Sequence, residues 1–326
     1  MSALYTFFSK RQYKNPYIVK DKVGGLIFAI FRFFFILGMS YLFLFPLFYM
    51  IITAFKSPES VYDPSVIWLP KSFSLQSITE MVDVLKYWDS MKLTFFISVL
   101  STLGTMLSCS IVAYGLARFD FKMKYLIFGF VVLTIIVPPS TTMLSSYLDF
   151  QRFNFGGLLA FTGMELNLLN TPWVFVLPSV FASGLRAGLF IFIFRQFFLG
   201  MPKDLEEAAF IDGCGTFMTF VRIIVPLAIP AFITVMLFSF IWHWNDYYSS
   251  LMYFTDEVRP ITPMLSGLQQ MLRDMATKGG NPNMSAYQLR TYMAAGSFLT
   301  VLPPLIIYLF AQRYFTESVE RTGIVG

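Results

Sequence analysis

Polar residues in this chain punctuate long apolar runs. Windows of about 20 residues place those runs near Phe33–Phe55, Leu93–Leu116, Tyr125–Leu148, Trp173–Phe194, Ile223–Trp242 and Met293–Ala311, each long enough to cross a hydrocarbon core of roughly 30 Å as a helix. Lipid offers the backbone no hydrogen-bond partners, so a crossing segment must satisfy its own, and helices do so. The pattern therefore predicts an all-α membrane protein with six spans. Pro138-Pro139 in the third run and Pro226 with Pro230 in the fifth predict bends, since proline removes a helical N–H and crowds the preceding turn. No internal repeat is evident, which disfavours the duplicated halves of many secondary transporters.

The polar segments set an orientation. Lys10, Arg11, Lys14, Lys20 and Lys22, then Arg118, Lys122 and Lys124, the stretch Arg195 to Arg222, and the tail Arg313 to Arg321 all fall on one side of a six-span layout. The positive-inside rule makes that side the cytoplasm and puts both termini there. The opposite side receives Glu59, Asp63, Glu80, Asp83 and Asp89, and a loop from about Asn245 to Arg290 whose segment Lys278-Gly279-Gly280-Asn281-Pro282-Asn283 reads as a mobile turn. The first run, about 23 residues, exceeds the roughly 7–15 of a signal-peptide core, and the expectation is a retained helix. The chain divides into a basic cytoplasmic tail (1–32), a first span with its external loop (33–92), five further spans (93–311) and a cytoplasmic C-terminal tail (312–326).

Composition agrees with a lipid solvent: 56% of residues are hydrophobic, 19% aromatic and 13% charged, against about 25% charged in ordinary soluble domains. The net charge of +5 is scattered between apolar runs rather than gathered in a stripe, so nucleic acid is not an expected partner. Cys109 lies in an apolar run and Cys214 in a polar loop, which implies no disulfide framework. The chain carries no phosphate-binding Gly-x-x-x-x-Gly-Lys-Ser/Thr, no His-Glu-x-x-His and no Gly-x-Ser-x-Gly. It is expected to be no enzyme, to hold no metal or cofactor, and to be unable to hydrolyse ATP alone.

The segment 195–222 has clear helix punctuation. Pro202 suits a first helical position, Asp204, Glu206 and Glu207 suit the positive end of a helix dipole, and Gly213 is a stop. Leu205, Ala208 and Ala209 predict a low apolar stripe on that short helix, and Thr216 a cap for a second helix presenting Phe217, Phe220 and Ile224 along one face. Two short helices at an angle would make a knob.

These residues carry a resemblance. Glu207-Ala208-Ala209, three residues to Gly213, nine more to Ile223, then Val225 and Pro226 match the EAA loop of ABC importer permeases, with Val225 in place of the usual Leu. Glu-Ala-Ala-x-x-x-Gly alone is a common fragment; the whole spacing inside a six-span pattern is specific. Phe194-Arg195-Gln196-Phe197-Phe198, Pro202 to Glu207, Ile211-Asp212-Gly213, Trp244-Asn245-Asp246, Ala113 to Phe119 and the tail words Gln312 to Phe315 and Thr322 to Gly326 resemble carbohydrate-uptake permeases, and most of all the six-span subunit of the maltose system. The likeness covers most of the chain after about Leu93. It implies the type I ABC importer permease fold in a bacterial cell membrane. It also implies a second homologous permease, two cytosolic ATPases and an extracytoplasmic sugar-binding protein as partners. The ATPase-coupling residues it implies are Glu207, Ala208, Ala209, Asp212, Gly213, Ile223 and Pro226.

Other candidates rest on the residues themselves. Arg186 lies about nine residues before Arg195, hence roughly 13 Å into the span at 1.5 Å per residue, and an ionisable group at that depth either pairs inside the bundle for assembly or contacts substrate. His243, with Trp242, Trp244, Asn245 and Asp246, ends the fifth run, where aromatic residues anchor an interface or, with Asn and Asp acceptors, line a path for hydroxylated cargo. Phe33-Phe34-Phe35 and Phe190, Phe192 and Phe194 read as lipid-facing or packing bulk. An ion-coupled carrier acting alone is the competing class; it needs intramembrane carboxylates, which the runs essentially lack.

Overall fold

The computed structural model describes residues 16–57, 72–154, 165–278 and 286–323. The expectations on Lys10, Arg11, Lys14, Glu59, Asp63 and the 279–283 turn lie outside these residues. Among the described residues there is no β-strand; two isolated bridges, Lys56 with Phe73 and Phe153 with Leu166, tie loop ends together.

The chain opens with α1 (Pro16–Ala54), which starts well ahead of Phe33 because no proline or turn residue separates the Lys20–Lys22 stretch from the apolar run. Residues 16–32, expected as part of a tail, are thus helical. The apolar stretch of α1 is exposed almost throughout, from Leu26 to Tyr49, and the helix buries only its end, around Thr53 and Ala54. α2 (Gln76–Val84) is a short amphipathic helix that leads into α3 (Tyr87–Arg118), the centre of the bundle. The buried face of α3 is made of small residues, including Ser98, Ser101, Thr102, Thr105 and Ala113. Small side chains let α6 (Trp173–Val180), α7 (Ala187–Leu199) and α11 (Ile229–Trp244) pack closely on it. α12 (Tyr248–Tyr253) and α13 (Ile261–Lys278) follow, and α14 (Ala286–Gly323) runs back along α1, α2 and α11.

Among the described residues three apolar clusters divide the interior. One gathers Tyr114, Phe190, Phe194, Phe198, Ile224, Ala228 and Val235. A second gathers Met81, Leu85, Trp244, Ile261, Leu268 and Leu299. The third is smaller, with Ile97, Val174, Phe175, Tyr253 and Phe254.

The proline positions do what their chemistry dictates. α4 (Lys124–Ile136) and α5 (Pro139–Gln151) meet at 100°. Val137 between them is extended, as the residue before a proline prefers. The fifth run bends by 78° at Ala228, between Pro226 and Pro230. The fourth run departs from expectation: Trp173–Phe194 is not one helix. α6 stops at Val180, and Ala182 and Arg186 both take left-handed backbone before α7 begins at Ala187. Pro178 lacks an N–H, and Ser183-Gly184 are poor helix formers, so nothing local carries the helix through. Three described helices are long and apolar enough to cross a membrane, five if each bent pair is one span. The fourth run adds a broken pair rather than a continuous sixth helix.

Candidate functional site

The segment after α7 folds into the expected pair of short helices. α8 (Asp204–Ile211) carries three acids in its first turn, and its end is closed by glycine. Gly213 has φ +81°, its N–H donates to the Phe210 carbonyl at 3.1 Å, and the Cys214 N–H reaches back to the Ala209 carbonyl at 2.9 Å. This is the double-bonded left-handed stop that glycine accepts without steric cost. α9 (Thr216–Thr219) follows, capped at Gly215 and not by the Thr216 hydroxyl. It continues through a π turn (Phe220–Ile224) into α10 (Val225–Leu227), which meets α11 at the 78° bend. The knob is thus continuous with a membrane helix.

Its root is tied to α3. The Arg118 Nε lies 2.7 Å from Glu206 Oε1, with both side chains almost wholly buried, and the Arg118 Nη2 donates to the Met201 carbonyl at 2.9 Å. Close by, Arg195 donates from Nε to the Leu116 carbonyl at 3.3 Å and places its guanidinium 3.9 Å from the centre of the Phe128 ring. Phe220 enters an aromatic socket, 4.9 Å from the Tyr114 ring centre and 6.3 Å from that of Phe198. Removing one partner of a buried ion pair strands the other, at a cost of about 3–5 kcal/mol.

The tip is apolar and open. Ile211 is 85% exposed and Phe217 72%, with Leu205, Phe210, Met218 and Val221 also exposed. The expected stripe is therefore corrected: Ala209 turns inward beside Glu206, whereas Leu205 and Ala208 face out. The expected Phe217, Phe220 and Ile224 face splits as well, since Phe220 and Ile224 are buried and Phe217, one turn earlier, projects from the tip. Of the predicted coupling residues, Glu207, Ala208, Asp212 and Gly213 lie together on the exposed side of α8 and its turn. Ala209 is at the root, Ile223 is half-buried and Pro226 exposed further along. Sequence reasoning passed over Arg118 and Glu206 as a pair. Glu206 shares the i, i+3 face of Ala209, which marks it as inward, but nothing in the sequence names its cation.

The remaining candidates separate. Arg186 places its guanidinium 4.6 Å from the Trp242 ring centre, a cation–π contact. Among the described residues no carboxylate lies in ion-pair range of it, so pairing with an acid within the bundle is not found here. Trp244 is 1% exposed and donates from Nε1 to the Thr300 carbonyl at 3.4 Å, which makes it core between α11 and α14. His243 is likewise buried, its Nδ1 2.8 Å from the Ser239 carbonyl, not an interfacial anchor. Asn245 is exposed at the end of α11. Asp246 accepts from the Ser250 N–H at 2.9 Å and from the Ser249 and Ser250 hydroxyls, ordering the start of α12. Burial pushes its carboxyl above the usual range, and the serine donors oppose that shift.

Bent and broken apolar helices around one central span, carrying a rigid knob rooted in a buried ion pair, are the build of a transport permease. Residues 20–321 match the family model of the binding-protein-dependent transport system inner membrane component, and the chain belongs to that family. It is 26% identical over 300 residues to the polygalacturonan/rhamnogalacturonan transport system permease protein YtcP of Bacillus subtilis, covering 90% of this chain and 96% of that one. It is 28% identical over 299 residues to the arabinooligosaccharides transport system permease protein AraQ of the same organism, covering 90% and 94%. Its fold is shared with a bacterial ABC transporter involved in the import of the acidic polysaccharide alginate, at a TM-score of 0.70 and 20% identity over 91% of this chain and 98% of that one. The protein is a multi-pass membrane component of a binding-protein-dependent transporter.

Proposed function

We propose that this permease imports a sugar or oligosaccharide, forms half of the translocation path with a second homologous permease, and takes its motion from two cytosolic ATPases through the α8–α9 knob. The transport-system names of its relatives, which concern polygalacturonan/rhamnogalacturonan and arabinooligosaccharides, support carbohydrate as the class of cargo. An extracytoplasmic sugar-binding protein delivers it. The subunit itself does no covalent chemistry.

The observation that carries the coupling role is the contrast within the knob. Its tip leaves large apolar side chains, Ile211 and Phe217, in the open, while its root is fixed to α3 and runs directly into α11. An exposed apolar patch on a rigid mount calls for a partner surface. Glu207 and Asp212 rim that patch and steer the approach of a basic groove. A displacement of the tip is then passed to two membrane helices at once. ATP and loaded binding protein drive the transport cycle insofar as they bind the inward- and outward-facing states with different affinity.

The layout we propose has six crossings, the fourth being the broken pair α6 and α7, with both termini and the knob in the cytoplasm. Cysteines at Ser2 and Gly326 are expected to react with membrane-impermeant probes only from the cytoplasmic side, and one at Asn281 only from outside. External labelling of Gly326 would overturn the layout. Import is tested by reconstituting the permease pair with its ATPase in proteoliposomes and measuring oligosaccharide uptake that requires both ATP and binding protein; absence of uptake across a panel of neutral and acidic oligosaccharides would refute the sugar reading.

A further inference from the structure

A cavity of about 720 Å³ opens where α4 and α5 bend away from the break between α6 and α7, within the roughly 300–1,000 Å³ usual for small-molecule sites. Its polar lining comes from Arg186, Thr134, Thr142, Ser146, Ser183, Ser249 and Tyr253, and no carboxylate is among the described residues that line it. Among the described lining residues Arg186 brings the one formal charge. From this we propose that the cavity is a site for an acidic oligosaccharide, with the Arg186 guanidinium receiving a sugar carboxylate. The proposal rests on the sugar-import reading and narrows it to a substrate class.

The geometry argues for recognition rather than assembly. An arginine serving only to hold the bundle would be expected beside an acid or a helix-end carbonyl, and Arg186 is found instead against the face of Trp242, 4.6 Å from its centre. That contact orients the cation without neutralising it, so the planar donor fork stays available for two-point contact with a carboxylate. Beside the Tyr253 phenol the cavity is lined by five aliphatic hydroxyls whose protons are engaged: Thr134 donates to the Val131 carbonyl, Thr142 to that of Pro139, Ser146 to that of Thr142, Ser183 to that of Pro178, and Ser249 to Asp246 Oδ1. What they turn toward the cavity is acceptor capacity, which suits sugar hydroxyls as donors. One cation without a carboxylate partner and a set of acceptors match a uronate better than a neutral sugar, because a uronate carboxylate forms a charge-assisted pair that a neutral sugar cannot.

The backbone independently marks the place. Ala182 and Arg186 both hold left-handed φ, +53° and +55°, a conformation that costs non-glycine residues energy and persists where surrounding contacts over-determine it. The wall beside Arg186 is fixed by close approach: a Cβ at Gly188 would fall on the Thr134 hydroxyl and lie 2.8 Å from the Val131 carbonyl. Arg186 therefore projects from a braced corner.

The test uses the purified permease–ATPase complex without its binding protein, so that only the membrane site discriminates. Equilibrium binding is measured for a galacturonate trisaccharide and for the same trisaccharide with its carboxylates as methyl esters. The wild-type complex is expected to bind the acid at least tenfold more tightly than the ester. Arg186→Gln should bring the acid to the affinity of the ester and leave the ester unchanged, and Arg186→Lys should keep part of the preference. Equal wild-type affinity for acid and ester, no binding of either, or a preference that survives Arg186→Gln would each overturn the proposal. The wild-type comparison stands even if Arg186→Gln fails to assemble. Uptake measured in parallel, with the same complex reconstituted in proteoliposomes together with its binding protein and ATP, tells the two readings apart: neutral uptake without acid preference at the membrane site sinks only the acidic site, and no uptake of any sugar sinks the importer reading as well.

Discussion

Glu206 and Glu207 are neighbours with the same side chain and opposite roles. Glu206 is buried against Arg118 at the root of the knob, and Glu207 is exposed near its tip. Glu206→Gln should therefore leave Arg118 unneutralised and loosen the knob, reducing transport-linked ATP hydrolysis by tenfold or more and lowering the melting temperature of the complex. Glu207→Ala removes an exposed contact, usually worth about 1 kcal/mol or less, and should act mildly. Equal effects of the two substitutions would remove the buried pair from the account. Asp246 gives a second residue-level prediction. Its folded-state pKa is raised by burial, so the ionised form is penalised on folding; its contribution to stability is fully present below the unfolded-state value and is lost as pH rises through the folded one. The melting temperature of wild type relative to Asp246→Asn should thus fall as pH increases upward from about 4, and a pH-independent difference would contradict this. At this scale the sequence was informative about residue type and silent about partners. Gly213 was legible as a positive-φ stop because glycine alone takes that conformation freely, whereas Arg118 and Glu206 meet only after α3 and α8 have been brought together by the fold.

At the scale of elements, the knob and the bends were the readable parts. Prolines at 138, 139, 226 and 230 announce broken spans through lost N–H groups, and the helices bend there by 100° and 78°. The break between α6 and α7 was missed although Pro178 and Ser183-Gly184 weaken the helix there, because the apolar run is unbroken in hydropathy and its two left-handed residues, Ala182 and Arg186, are of types that ordinarily continue a helix. The faces of α8 and α9 were also misassigned, since helical period alone does not say which side meets the bundle. For the knob the decisive element is its turn. A side chain at Gly213 would meet open space within the permease, so any effect of substitution on the permease itself comes from the backbone conformation. Gly213→Val should strain that turn, leave the permease inserted and its binding protein able to bind sugar, and largely abolish ATPase co-purification. Gly213→Asn, which tolerates left-handed backbone better, should be milder. Full ATPase association in Gly213→Val would show that the turn does not position the docking surface.

At the scale of the whole molecule, two of the exposed apolar surfaces have different meanings. The stretch of α1 from Leu26 to Tyr49 is mostly apolar and open, as expected of a helix facing lipid, and the tip of the knob is apolar at the far end of a polar, ion-paired root. The six-run pattern foretold a membrane bundle and the family words foretold its membership, but neither could show the path by which α8 and α9 run through a 78° bend into α11. That the knob docks an ATPase and acts as a lever on α11 is the central proposal, and site-specific photocrosslinking tests its docking most directly. A benzoylphenylalanine introduced at Ile211, in membranes carrying the assembled and active transporter, is predicted to give an adduct with the ATPase subunit whose yield changes on adding ATP, while the same group at lipid-exposed Phe34 gives none. An active transporter in which Ile211 never crosslinks to the ATPase would contradict the account.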